Sequence, residues 1–328
     1  MACSAIACSG PVGLENADLP GLRGLADSVD QTRAMNDIAE FVDAHKSEQP
    51  LPFDCNTLPE GPLGNEIYCH LTHENARDLM RDKLADLGLE VVGHSVSDGV
   101  YSTEVLTADL PGTVNPEEIV LVGAHYDAFY AGADDNTTGV AAVLELARVL
   151  STAKFERTIR FVGFDMEEFG LIGSVRYVES LPDRNAVVAA IVFDCIGFFS
   201  TEPGSQEGLL GFPVPDTADF TALLANDDSA QLASDMMLLN EELGLAKLAA
   251  VVAPADGTHP LTGNLFRSDH APFWWAAIPA MQLTDTTNFR NPHYHKDTDT
   301  IDTLEPTFFA RTIAISAAAL GYWARGPR

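Results

Sequence analysis

Apolar positions along this chain switch between two periods. From 22 to about 47, Leu25, Met35, Ile38, Phe41 and Val42 follow helical spacing. A second helix is predicted over 74–87, with Leu79, Leu84 and Leu87 on one face and Gly88 ending it. Strands are predicted over 89–95, 101–109 and 118–124. The segment 139–150 predicts a helix with Val143, Leu146, Ala147 and Leu150 inward, and a strand over 158–165 leads to a helix beginning near Leu171. Residues 187–196 are apolar almost throughout, as in a strand covered on both faces. Helices near 216–225 and 228–244 follow, then a loop with Pro254, Gly257, Pro260 and Gly263, a short strand over 280–283, and a last helix over 306–324. Strands alternating with helices predict an α/β fold: one mixed, mostly parallel twisted sheet with helices on both faces. No repeat, low-complexity tract or linker divides the chain. One domain is therefore expected over 21–328, starting with a helical and loop segment at about 21–75, after an irregular arm over 1–20.

Composition narrows the partners. A hydrophobic content of 46% over 328 residues is ample for a core, and no apolar run is long enough to span a bilayer. The formal charge of −29 argues against nucleic acid, whose phosphates require clustered Lys and Arg. Among the cysteines, Cys55 and Cys69 flank a segment rich in turn residues, CNTLPEGPLGNEIYC, and are expected to clip it with a disulfide. Cys3 and Cys8 are candidates for pairing or acylation, and Cys195 for a buried free thiol. The opening MACSAIACSG lacks the features of a signal peptide. The expected location is secreted, periplasmic or lipid-anchored outside the cytoplasm, with the leader absent from this chain.

The chemistry lies just beyond the predicted strands, where open α/β sheets bind ligands. His125 ends LVGAH, and Asp127 is placed to brace the imidazole from behind. Gly132-Ala133-Asp134-Asp135-Asn136 precedes a helix, so one aspartate can cap or brace while the other binds metal. Glu167 and Glu168 follow the apolar run IRFVGF; their side chains diverge, which suits one ligand and one general base. Asp194 sits inside AAIVFDCIGF, where an unpaired carboxylate is costly to bury. Downstream, His270, His293 and His295 are all candidate ligands. Imidazole and carboxylate converging at a sheet's rim are what a hydrolytic zinc site requires.

The blocks GAHYD, GADDN, FDMEEFGLIGS, FDCIG, SDHAPF and YHKDTDT resemble, in order, those of the co-catalytic zinc aminopeptidases of the bacterial leucyl-aminopeptidase type, whose fold glutaminyl cyclases share. The resemblance runs from about residue 75 onward. It implies two Zn²⁺ per chain, one completed by His125 and Asp194, the other by Glu168 and His295, with Asp135 bridging. It further implies Glu167 as the base acting on a zinc-bridged water, Tyr294 as a hydrogen-bond donor to the oxyanion, a cis Asp135–Asn136 peptide, and His295 rather than His293 as ligand. The implied reaction is hydrolysis of N-terminal peptide bonds in substrates with a free N-terminus. Phe198, Phe199, Phe266, Phe273 and Phe289 are expected to line a pocket for an apolar first side chain. Three alternatives remain: a glutaminyl cyclase; a dipeptidase or carboxypeptidase using Arg267 or Arg290 for the substrate carboxylate; and a binding ectodomain without activity. The N-terminal helices and the cysteine-bearing segment lie outside the matching blocks.

Overall fold

In the computed structural model, which describes residues 14, 16–52, 66–208, 214–254 and 262–327, the chain order is simple to follow. Two helices, α1 (Leu19–Asp27) and α2 (Gln31–Ser47), are followed by a short strand β1 (Leu71–Thr72) and α3 (Glu74–Asp86). Next come β2 (Val91–Ser97), β3 (Ser102–Leu110), β4 (Asn115–His125), a short β5 (Ala128–Phe129) and α4 (Gly139–Leu150). The second half holds β6 (Arg157–Phe164), α5 (Ile172–Ser180), β7 (Val187–Phe193), β8 (Thr221–Asn226), α6 (Ala230–Leu243), β9 (Leu248–Ala253), α7 (Ala271–Trp275), β10 (Ala280–Thr284) and α8 (Pro306–Trp323).

Eight strands form one sheet in the order β2-β3-β6-β4-β7-β10-β8-β9. Its centre, β6-β4-β7-β10, is parallel, while the β2–β3, β3–β6 and β10–β8 pairs are antiparallel. This is the mixed, mostly parallel sheet expected. Period-2 alternation divides the core. Val120, Val122 and Ala124 of β4 pack under α1, α2, α3, α4, α6 and α8, whereas Leu121 joins Val162, Phe164, Tyr177 and Phe273 on the face covered by α5 and α7. Because the central strands run parallel, their carboxyl ends share one rim.

Three element boundaries differ from the sequence reading. The region 216–225 is not a helix: Thr221–Asn226 is a fully buried strand between β10 and β9. Its Ala and Leu residues favour a helix locally, but a six-residue slot with both faces covered selects extended backbone. Strand β9, in the stretch expected as loop, is a short edge strand alternating in exposure. The helix over 22–47 is two helices, because Asp30 caps α2 by accepting the Arg33 N–H at 3.1 Å while its own N–H reaches Glu145 Oε1 at 2.6 Å. The expected Cys55–Cys69 and Cys3–Cys8 pairings involve Cys3, Cys8 and Cys55, which lie outside the described residues, as does most of the arm. Among the described residues, no helix is long and apolar enough to cross a membrane.

Candidate metal centre

The rim collects the residues in question from five places. His125 is the last residue of β4, Asp135 lies in the turn before α4, Glu167 and Glu168 follow β6, Asp194 follows β7, and His295 sits in the loop after β10. His295 Nε2 lies 2.9 Å from Asp135 Oδ2 and 3.0 Å from Glu168 Oε2. His125 Nε2 lies 3.6 Å from Asp135 Oδ1 and 4.0 Å from both Asp194 Oδ1 and Glu167 Oε2. Asp135 therefore turns one carboxylate oxygen toward each imidazole. The ligand atoms of His125, Glu167 and Asp194 lie within 4.8 Å of one another, as do those of Asp135, Glu168 and His295.

These donors fit a metal. His125 Nε2, His295 Nε2, Asp135 Oδ2 and Glu168 Oε1 are buried without a hydrogen-bond partner among the described residues, although they crowd together. Buried polar atoms are ordinarily satisfied, and orphaned ones carry a desolvation cost. Two imidazole nitrogens and several carboxylate oxygens converging this way are the donor set of Zn²⁺. Electrostatics agree. Burial, then the charge of Asp135, lifts the Glu168 carboxyl to about 8, and burial raises Glu167 well above its usual range. Burial alone would depress His295, but Glu168 and Asp135 outweigh it and lift the imidazole to about 10.

A second layer holds the donors in place. Asp127 accepts the backbone N–H groups of Glu167 and Glu168, each at 3.2 Å, and its Oδ1 stands 3.4 Å from His125 Nδ1, which also donates to the Asp127 carbonyl. One buried carboxylate thus aligns three site residues. In GADDN, Asp134 faces away from the centre, taking the Gly197 N–H at 2.8 Å and the Asn291 amide at 2.7 Å. Asn136 ties the turn to the end of β7 through the Phe193 carbonyl and the Cys195 N–H. The Asp135–Asn136 peptide is cis, as expected. Asp299 receives the N–H groups of Asp134 and Asp135. Gly173 explains part of FDMEEFGLIGS: its N–H bonds the Asp165 carbonyl at 2.9 Å, and a Cβ there would fall 2.4 Å from that oxygen. Met166, Cys195 and His295 adopt positive φ without being glycine, each at or beside a site residue.

The sequence reading gave Asp165 no role and missed His73. His73 Nδ1 lies 2.8 Å from Asp165 Oδ2, which also accepts the Thr103 hydroxyl, so α3 is tied to the loop carrying Glu167. A buried aspartate two residues before a candidate base was the available signal; the histidine lies too far away in sequence to pair with it by pattern. Burial would lower the His73 imidazole, but the hydrogen bond and charge of Asp165 overcome this and raise it to about 9. A raised folded pKa means stability that is complete below the unfolded value near 6.5 and is lost as pH climbs through 9. His73→Gln is therefore expected to cost more stability below pH 6 than at pH 10, where the imidazole has lost its charge. Urea unfolding at both pH values checks this, and an equal loss at each would refute it.

The remaining candidates separate cleanly. His293 Nδ1 is bonded to Thr298 at 3.0 Å, away from the cluster. His270 points to the Leu265 carbonyl at 2.7 Å, and burial lowers it to about 4; its neighbour Asp269 is the residue near the centre, pushed up to about 7 by burial. Arg290 is buried behind the site on Gln206, Phe220 and Thr286, so it offers nothing to a substrate carboxylate. Tyr294 stacks on His295 with ring centroids 3.8 Å apart. Burial, followed by the charges of Asp135 and Glu168, holds its phenol well above the usual range, so it remains a donor.

A parallel-centred sheet gathering imidazoles and carboxylates at its carboxyl rim has the build of a metal-dependent hydrolase. The chain belongs to peptidase family M28, whose profile matches residues 106–320. An aminopeptidase of Pseudomonas aeruginosa is 38% identical over 167 residues, covering 48% of this chain and 30% of its own. In fold, the chain is similar to LapA of Legionella pneumophila, with a TM-score of 0.70 and 17% identity over 96% of this chain and 78% of LapA. It also resembles the glutaminyl cyclase of Porphyromonas gingivalis, with a TM-score of 0.59 and 17% identity over 90% of this chain and 98% of that one. The chain spans 64%, 47% and 26% of the length of three curated relatives it matches.

Proposed function

We propose that the chain is a zinc aminopeptidase that hydrolyses the peptide bond after a free N-terminal residue. His125 and Asp194 would hold one ion, Glu168 and His295 the other, and Asp135 both. The observation that carries this reading is the Asp135 carboxylate, with one oxygen turned toward His125 and the other 2.9 Å from His295. Bound Zn²⁺ would supply charge that acidifies water and polarises the scissile carbonyl. The protein's own groups do the rest. Glu167 takes a proton from the attacking water and passes it to the leaving amine; burial keeps its carboxylate basic enough for the task. Asp127 holds the Glu167 backbone, and through it the base, in register with His125. Tyr294 donates a hydrogen bond from its hydroxyl to the oxygen on which negative charge develops. The surrounding carboxylates favour a protonated α-amine, hence a free N-terminus.

The glutaminyl cyclase alternative shares the fold, but it is expected to use one zinc. Zinc-loaded protein should cleave aminoacyl p-nitroanilides, leave their N-acetylated forms intact and not cyclise a peptide beginning with Gln. Cyclisation with one zinc per chain would replace this reading with the cyclase. Cleavage of blocked peptides from the other end would replace it with a carboxypeptidase.

A further inference from the structure

The cleft beside Asp194 and Tyr294 differs in its lining from the aromatic pocket expected from the sequence. Of the five phenylalanines proposed to line it, only Phe289 does. Phe273 is fully buried in the core, Phe266 packs edge-on against Trp274, and Phe199 lies against Phe308. The wall presents Gln282, Thr284, Thr286 and Thr287 alongside Leu224 and Leu265, and Arg267 also lines it. Gln282 donates to Asp194 Oδ2 at 3.2 Å, and Thr284 Oγ1 accepts the Thr286 N–H at 2.9 Å. Arg267 is held by two neutral oxygens, Asn288 Oδ1 at 2.8 Å and the Tyr294 hydroxyl at 3.4 Å. It makes no ion pair among the described residues, although Asp and Glu number 48 against 19 Lys and Arg.

The Gln282 amide and the Thr286 hydroxyl are already bonded within the protein, so the group in this cleft left without a counter-charge is the Arg267 guanidinium, and an uncharged side chain entering here would supply none. A carboxylate would supply that counter-charge and form charge-assisted hydrogen bonds to Arg267. The charge of Asp194 opposes an anion here only until that residue is engaged by metal, so the inference rests on the aminopeptidase reading. We propose that this cleft receives a carboxylate, making the substrate acidic. That carboxylate comes either from an Asp or Glu side chain at the first residue or from the C-terminus of a dipeptide.

The test uses zinc-loaded wild type and Arg267→Gln. In one arm, kcat/KM is compared for Glu and Gln p-nitroanilides, which differ only in charge. In the other, Ala-Glu is compared with its C-terminal amide. A third readout, independent of turnover, is calorimetric binding of free glutamate against free glutamine. Wild type is expected to favour the carboxylate by about 10- to 100-fold in one arm. Arg267→Gln should bring that ratio close to one, and the binding ratio should follow. A high Glu-to-Gln ratio identifies the side chain as the source; a high dipeptide-to-amide ratio identifies the terminus. Ratios near one in wild type, or a high ratio that survives Arg267→Gln, overturn the proposal. If no substrate is cleaved, the aminopeptidase reading falls, and glutamate binding still decides the fate of the cleft.

Discussion

Replacing Glu167 with Gln is expected to lower kcat on an aminoacyl anilide by at least about 100-fold, the lower end of what positioned proton transfer contributes. Zinc content should be unchanged. Both measurements matter, because the geometry allows a rival role: Glu167 lies close enough to His125 and Asp194 to be counted with them as a donor set. A ligand would reveal itself by loss of metal in elemental analysis, whereas a base leaves the metal in place and removes turnover. Its neighbour offers the contrast. Glu168 Oε2 lies 3.0 Å from His295 Nε2, so Glu168→Gln should fail through metal loss. Full activity of the Glu167 variant would end its assignment as base.

The second large effect is expected at Asp135. Its carboxylate is shared between the two imidazoles, so Asp135→Ala removes one donor from each half of the centre at once. Zinc binds the folded state and should stabilise wild type by about 4 kcal/mol at a concentration 1,000 times the dissociation constant. In Asp135→Ala that gain should fall toward zero at the same zinc concentration, and activity should fall with it. Thermal unfolding with and without zinc measures the difference. An undiminished zinc response would show that Asp135 bridges nothing.

Legibility from sequence followed range of interaction. The sheet was readable because its central strands are short apolar runs and its last helix has clear periodicity. His125, Glu167, Glu168 and Asp194 stood out because each ends, follows or interrupts such a run, and Asp135 because it precedes a helix. Strand β8 escaped because its alanines and leucines are good helix formers, and only the neighbours β10 and β9 force them straight. Local pattern also could not choose among His270, His293 and His295; the matching motif favoured His295, which lies nearest Asp135 and Glu168. The aromatic pocket was misjudged for a related reason. Phe273 and Phe266 are spaced as surface or core residues alike, and only packing against Trp274 and its surroundings decides between them. The His73–Asp165 contact, 92 positions apart, had no sequence signature at all.

That contact bears on where the working unit begins. The family profile starts at residue 106, yet the imidazole gripping the loop of Glu167 comes from position 73, and β1 at 71–72 zips onto β5 between His125 and Asp135. A fragment trimmed to the profile would keep every residue assigned to chemistry and lose two of the clamps that hold them. Homology and mechanics therefore draw different borders on this protein, and the mechanical one lies at least 35 residues further toward the amino end (106 against 71).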